Sequence, residues 1–204
     1  MIPFDWPETS RIVGPCIRPG GVALTERAIE ICNLAPGSRI ADIGCGAGGT
    51  LEHLQRTGFY HLVGLDCSDT LLGLAASRLG SGGLVQGRAE ALPFRDQSFD
   101  ALLCECVLSI VEDRVAALQE FARVLKDDGC LILSDVFDGS KQSLIQETVT
   151  ELGFSILLLE ENQRVLKEFA ARLILAGKPV PHSSGCGLSY HLLVARKSKA
   201  SREN

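Results

Sequence analysis

An acid two residues ahead of a glycine-dense turn can hold a polar, nucleoside-like ligand against bare backbone, and Asp42 stands in that relation to Gly44-Cys45-Gly46-Ala47-Gly48-Gly49. The residues Ile40 to Ile43 read as a short apolar strand running into this turn, and those after it as the start of a helix. Glycines lack a Cβ, so the backbone can take positive φ and approach a ligand closely, while the first turn of the next helix points free N–H groups at it. The loop alone leaves the ligand open. Gly44, Gly46 and Gly49 also satisfy the G-x-G-x-x-G dinucleotide spacing, and Asp66 stands about where that pattern places an acid for a ribose hydroxyl.

Three further stretches follow in order: Val63-Gly64-Leu65-Asp66-Cys67-Ser68, Gly87-Arg88-Ala89-Glu90-Ala91-Leu92-Pro93-Phe94 and Phe99-Asp100-Ala101-Leu102-Leu103-Cys104. With these four motifs the chain, from about Gly20 to Lys197, resembles the class I S-adenosylmethionine-dependent methyltransferases. The likeness is to the type 11, small-molecule enzymes related to ubiquinone and menaquinone biosynthesis. The resemblance implies S-adenosyl-L-methionine as cofactor, with Asp42, Gly44, Cys45, Gly46 and Gly48 in the first motif. It implies Asp66 as the ribose-binding acid, Cys67 beside the sugar, and the Ala89 backbone against the adenine. Cys104 and Glu105 leave the carboxyl end of the fourth strand, where Glu105 can meet the cofactor's ammonium group. One position departs from the family: Arg88 stands where an Asp commonly accepts a hydrogen bond from the adenine amino group, which Arg, a pure donor, cannot do. Adenine recognition then falls to the backbone around Ala89.

The chemistry implied is transfer of a methyl group to a small-molecule acceptor by in-line displacement. The cofactor carries the activated methyl, so the protein has mainly to align the acceptor and exclude water, which can lower the barrier by about 7–11 kcal/mol. The sequence names no general base, so no catalytic residue is assigned. Two other readings stay open: a non-catalytic S-adenosylmethionine-binding module, and a nicotinamide-dependent oxidoreductase using the same loop. The latter expects a Tyr-x-x-x-Lys or similar motif, and neither Tyr60 nor Tyr190 is followed four residues later by Lys.

These motifs need alternating strands and helices to position them, and the pattern supplies these along the chain. A helix is expected from Thr25, as its cap, to about Asn33, then a strand over Arg39–Ile43, a helix over Gly49–Arg56 and a strand over His61–Asp66. A helix over Asp69–Leu79, strands over Leu84–Gly87 and Ala101–Cys106, and a helix over Asp113–Lys126 follow. Beyond Gly129 come a strand over Cys130–Val136, a helix over Ser140–Leu152, a strand over Ser155–Leu159, a helix over Asn162–Ala176 and a last strand over Leu188–Ala195. Such alternation argues for an α/β fold, a Rossmann-like doubly wound and mostly parallel sheet. The resemblance makes it seven strands with an antiparallel seventh. One domain spans 25–197, preceded by a lid-like segment 1–24 and followed by a disordered tail 198–204.

Composition bounds the function. At 204 residues and 46% hydrophobic content the chain suits one core. A net charge of −5 leaves no basic surplus for phosphates, which speaks against a nucleic-acid partner. No apolar run approaches a membrane span and the first residues lack a secretory pattern, so a cytoplasmic protein is expected; oligomeric state stays open. Of eight cysteines none form a C-x-x-C pair, and reduced thiols are expected, with no metal site. Cys104 and Cys106 read as sharing a strand face, Cys45 and Cys67 as flanking the pocket, and Cys16 and Cys186 as covering it. That set would suit a thiophilic acceptor, although buried cysteine usually acts as a small hydrophobe. Arg11, Arg18, Phe4 and Trp6 precede the first helix, where Arg18 is placed to pair with the cofactor's carboxylate. His182 and His191 receive no role.

Overall fold

The computed structural model describes Ile12, residues 16–178 and residues 188–199. Its sheet is seven-stranded, in the order β3-β2-β1-β4-β5-β7-β6. The strands are β1 (Arg39–Ile43), β2 (His61–Asp66), β3 (Leu84–Gln86), β4 (Phe99–Glu105), β5 (Leu125–Asp138), β6 (Phe154–Glu161) and β7 (Leu188–Lys197). The helices are α1 (Gly21–Cys32), α2 (Gly49–Arg56), α3 (Asp69–Leu79), α4 (Arg114–Val124), α5 (Gly139–Glu151) and α6 (Gln163–Leu175). β7 runs antiparallel between β5 and β6, and the remaining pairs are parallel. The doubly wound sheet with its antiparallel seventh strand is the architecture expected above.

Strands buried on both faces explain the near-continuous apolar runs. In β4, Ala101 and Leu103 point to one side and Leu102 and Cys104 to the other, all of them inaccessible to solvent. The first side packs on Leu24, Ala28, Ile29 and Cys32 of α1, and the second on Ala117, Leu118, Phe121 and Val124 of α4. The order of strands reverses between β1 and β4, which pair in parallel through Ile43 and Cys104. A crevice at the carboxyl ends of these strands is therefore where such a sheet receives a ligand. None of the helices among the described residues is long and apolar enough to cross a membrane.

Several boundaries move. α1 begins at Gly21 behind a left-handed Gly20, so Thr25 is no cap; it lies inside the helix, buried and turned to the sheet. Part of the segment assigned to a lid is thus helix. β3 stops at Gln86, and α4 spans Arg114–Val124 with Asp113 as its cap, accepting from the Ala116 amide. β5 starts at Leu125, which pairs with Phe99, so Leu125 and Lys126 are strand where helix was expected, and the strand already runs through Gly129, read as the stop ahead of it. Cys104 and Cys106 do not share a face. Cys106 takes left-handed φ (+58°), leaves the strand, and turns its thiol to the Tyr190 hydroxyl, 3.6 Å away in the opposite core. Phe4, Trp6, Arg11, His182, Cys186 and the tail beyond Lys199 lie outside the described residues.

Candidate functional site

β1 delivers Asp42 and the glycine turn to the crevice, and three contacts fix that turn. The Gly44 and Cys45 amides both donate to the Leu65 carbonyl of β2, at 2.7 and 3.0 Å. The Gly46 amide donates to Asp66 Oδ2 at 2.9 Å, while Asp66 Oδ1 accepts from the Ser68 amide at 2.8 Å. Asp66 therefore links the glycine turn to the start of α3, whose cap is Ser68. Gly44 has φ +76°, and a Cβ there would lie 2.1 Å from Val107 Cγ2. No other residue fits so close to the loop that follows β4.

Around the turn lies a cavity of about 60 Å³ bordered by Cys16, Arg18, Asp42, Gly44, Thr50 and Glu105, among others. Its charged end is a buried ion pair: Arg18 Nη2 stands 2.8 Å from Glu105 Oε2, with the two side chains 4% and 5% exposed. Thr25 Oγ1 donates to Glu105 Oε1 at 2.9 Å and Thr50 Oγ1 to Oε2 at 3.2 Å, while Arg18 also donates to both threonine hydroxyls and to the Gly21 carbonyl. Such saturation is what a desolvated ion pair needs to persist. Burial works against the Arg18 charge, but Glu105, together with Tyr190, Cys16 and Cys106, outweighs it and the guanidinium titrates above its usual range. Asp42, almost fully buried, is pushed up to about 8, first by desolvation and then by the nearby Glu105. Asp42 in the free protein thus carries a proton at neutral pH, and a cation brought beside it would displace that proton.

Of the residues singled out from sequence, Asp42, Gly44, Cys45, Gly46 and Glu105 meet at this cavity. Gly48 stands behind them as the left-handed cap of α2. Asp66 lies beside the turn and is bonded to it. Cys67 is exposed, and its carbonyl accepts from the Gln86 side chain at 3.2 Å. Ala89 is buried against the α4-side core, and the Cys104 side chain lies fully within that core rather than in the site. Cys16 borders the cavity and bonds Thr50 at 3.6 Å, but burial raises the Cys16, Cys45, Cys104 and Cys106 thiols, which holds them neutral. Neutral, separated thiols suit packing, not a soft-ligand set. Arg88 is solvated, as an ordinary surface arginine would be, and reaches Glu90 at 3.3 Å and Glu112 at 3.4 Å.

Two sets of residues escaped the sequence. By pattern Thr25 read only as a helix cap and Thr50 as an ordinary helical residue, and only the fold brings them to Glu105. Arg123 and Glu120 form a bidentate pair at 2.7 Å on α4, and from there hold the loop ahead of β4: Arg123 donates to the Leu92 and Phe94 carbonyls, and Glu120 accepts from the Leu92 amide. The Glu-x-x-Arg spacing was visible, but its target was not.

Residues 41–133, from β1 to β5, match the family described as "Methyltransferase domain". An uncharacterized protein of Haemophilus influenzae is 30% identical over 179 residues, covering 78% of this chain and 71% of its own. A ubiquinone/menaquinone biosynthesis C-methyltransferase of Shewanella frigidimarina is 33% identical over 142 residues, 63% of this chain, and the chain spans only 54% of that relative's length. Among solved structures, phosphoethanolamine N-methyltransferase 2 of Haemonchus contortus, in complex with S-adenosyl-L-methionine, superposes with a TM-score of 0.76 at 18% identity, over 94% of this chain and 56% of that one. The cyclase SpnF superposes with a TM-score of 0.76 at 22% identity, over 95% and 92%. These two likenesses speak to the fold alone. With the family match running from the glycine turn through Asp66 and β4 into β5, the chain belongs to the class I S-adenosylmethionine-dependent methyltransferases.

Proposed function

We propose that this chain transfers a methyl group from S-adenosylmethionine to a small-molecule acceptor. The observation that carries the reading is the cradle at Gly44, Gly46 and Gly48, all at positive φ, beside the buried acids Asp42 and Asp66 and the Arg18–Glu105 pair. Side-chain-free backbone with opposite charges at one end suits a zwitterionic nucleoside. In this reading Arg18 holds the cofactor's carboxylate, Glu105 and Asp42 face its ammonium, and Asp66 takes the ribose. The Ala89 backbone borders the adenine while Arg88 stays in solvent. The cofactor supplies an activated methyl on a sulfonium, and the chain's own residues orient it and keep water out. An overall negative charge and the absence of a phosphate-binding surplus favour a small acceptor over nucleic acid.

The test is calorimetric titration of the reduced protein with S-adenosylhomocysteine and, separately, with NAD. Saturable one-site binding of the first and none of the second is expected; the reverse would return the loop to a dinucleotide. A second reading, cofactor binding without methyl transfer, uses the same cradle, since no residue lining the cavity identifies an acceptor. It would be favoured if S-adenosylhomocysteine bound but no acceptor in a broad screen were methylated.

A further inference from the structure

Glu105 ends β4, and residues 106–113 must then leave the sheet, pass the glycine turn and reach the Asp113 cap of α4. The exit is Cys106, whose left-handed φ of +58° persists in a residue with a Cβ only where the surroundings enforce it. One helical turn follows, in which the Ile110 and Val111 amides donate to the Val107 carbonyl at 3.0 and 3.2 Å. A lone turn of helix does not hold itself in water, so its place is set by what it is bonded to.

Those bonds come from the end of β5 and the start of α4. The Cys106 amide donates to the Ser134 carbonyl at 2.7 Å. The Ser109 amide donates to Asp135 Oδ2 at 2.8 Å, while Asp135 Oδ1 accepts from the Val136 amide at 2.7 Å. Arg114 donates from Nε to the Leu108 carbonyl at 3.0 Å and from Nη2 to the Ser109 carbonyl at 2.9 Å. Asp135 is 2% exposed. Burial raises its carboxyl from the ordinary value, against the Ser109 amide and hydroxyl, the Val136 amide and the Arg114 guanidinium. Its neighbour Ser134 accepts from the Tyr190 hydroxyl at 3.0 Å in the α1-side core, so Asp135 faces the α4 side and does not border the cavity.

The loop it holds does reach the cradle. Val107, two residues before the bonded Ser109 amide, fills the space against Gly44 so closely that a Cβ there would lie 2.1 Å from Val107 Cγ2. We propose that Asp135 is a positioning residue for the cofactor: by holding the Ser109 amide it sets the loop after β4, and so keeps Val107 against the Gly44 turn on which S-adenosylmethionine rests. This rests on the methyltransferase reading above.

The experiment titrates S-adenosylhomocysteine into the native chain, Asp135→Asn, Val107→Ala and the double variant, at a temperature where circular dichroism shows each to be folded. Asparagine keeps the shape of Asp135 but turns an N–H towards one of the two amides. Each single variant should bind about tenfold or more weakly, and the double variant only about as weakly as the worse single, because both act at one contact. The Gly44 amide resonance should move in Asp135→Asn, and the amides of residues 106–113 should exchange faster. Arg196→Ala, which cuts bonds to the Asp128 and Cys32 carbonyls at the far end of the sheet, should leave affinity and the Gly44 resonance unchanged. Native affinity in Asp135→Asn, losses that simply add in the double variant, an unmoved Gly44 resonance, or an equal affinity loss in Arg196→Ala would each overturn the proposal. Should Asp135→Asn fail to fold, exchange in the native chain decides: S-adenosylhomocysteine should slow the Ser109 amide together with that of Gly44, and an unaffected Ser109 amide would refute the link. Failure of the native chain to bind S-adenosylhomocysteine would sink the cofactor reading while leaving the Gly44 resonance of Asp135→Asn to judge the tether.

Discussion

Arg18 and Glu105 illustrate how a few atoms govern both stability and binding at this site. Removing one partner of a buried pair strands the other, so Arg18→Ala and Glu105→Ala should each destabilise the fold by about 3–5 kcal/mol in urea unfolding. The double variant Arg18→Met with Glu105→Leu should cost much less than the sum, and strict additivity would show that the pair is not coupled. At Asp42 the sign of a pH effect can be worked out. The free carboxyl titrates near 8, so at pH 7 it is largely protonated, and an ammonium group beside it favours the ionised form. Binding of S-adenosylhomocysteine at pH 7 should therefore release up to about one proton, and affinity should rise with pH until about 8. Titrations in buffers of different ionisation enthalpy read this directly. Release should vanish in Asp42→Asn, and buffer-independent heats in the native protein would refute the placement of a cation at Asp42. Gly44→Ala places a Cβ against Val107 at left-handed φ. The backbone cost, about 1–2 kcal/mol, falls on stability, while a turn shifted to relieve the clash should bind S-adenosylhomocysteine about tenfold or more weakly.

Helix α4 works as a clamp for the loop that carries Leu92, Pro93 and Phe94, through the Arg123–Glu120 pair and its bonds to backbone. Hydrogen bonds from a charged group are worth about 1.5–3 kcal/mol, so Arg123→Ala should lower stability by about that much and raise amide exchange in residues 88–96. A uniform exchange increase over the whole chain would show a global effect instead. How legible such elements were depended on what sets their ends. Gly49–Arg56, His61–Asp66 and Asp69–Leu79 end on local cues, a glycine turn, an acid and a Ser68 cap, and they appear as read from the sequence. α1 and β5 do not. α1 starts at a glycine pair with no side-chain cap, and Leu125 and Lys126, helix-permissive in composition, become strand because Leu125 pairs with Phe99 far away in the chain. At the site the same division holds. Asp42, Gly44, Gly46 and Asp66 were visible because their spacing is local, whereas Thr25 and Thr50 gain meaning only from Glu105, which the sheet brings to them.

At the scale of the whole molecule, the glycine turn, α2 and the Glu105 end of β4 hang on one sheet that is also the core, so occupying the site should be felt by global unfolding. A ligand that binds only the folded chain stabilises it by about 2.7 kcal/mol at a hundred times its Kd. For a chain of 204 residues each kcal/mol raises Tm by roughly 2–4 °C. S-adenosylhomocysteine at that excess should then raise Tm by about 5–10 °C, while the same concentration of NAD should leave it unchanged. The comparison with Gly44→Ala separates site from scaffold: its own Tm reports the strain of the left-handed alanine, and a ligand-induced rise much smaller than that of the native chain reports the lost cradle. An equal rise in both proteins would place the ligand elsewhere, because no ligand seated against the Gly44 backbone can ignore a methyl group wedged between that turn and Val107.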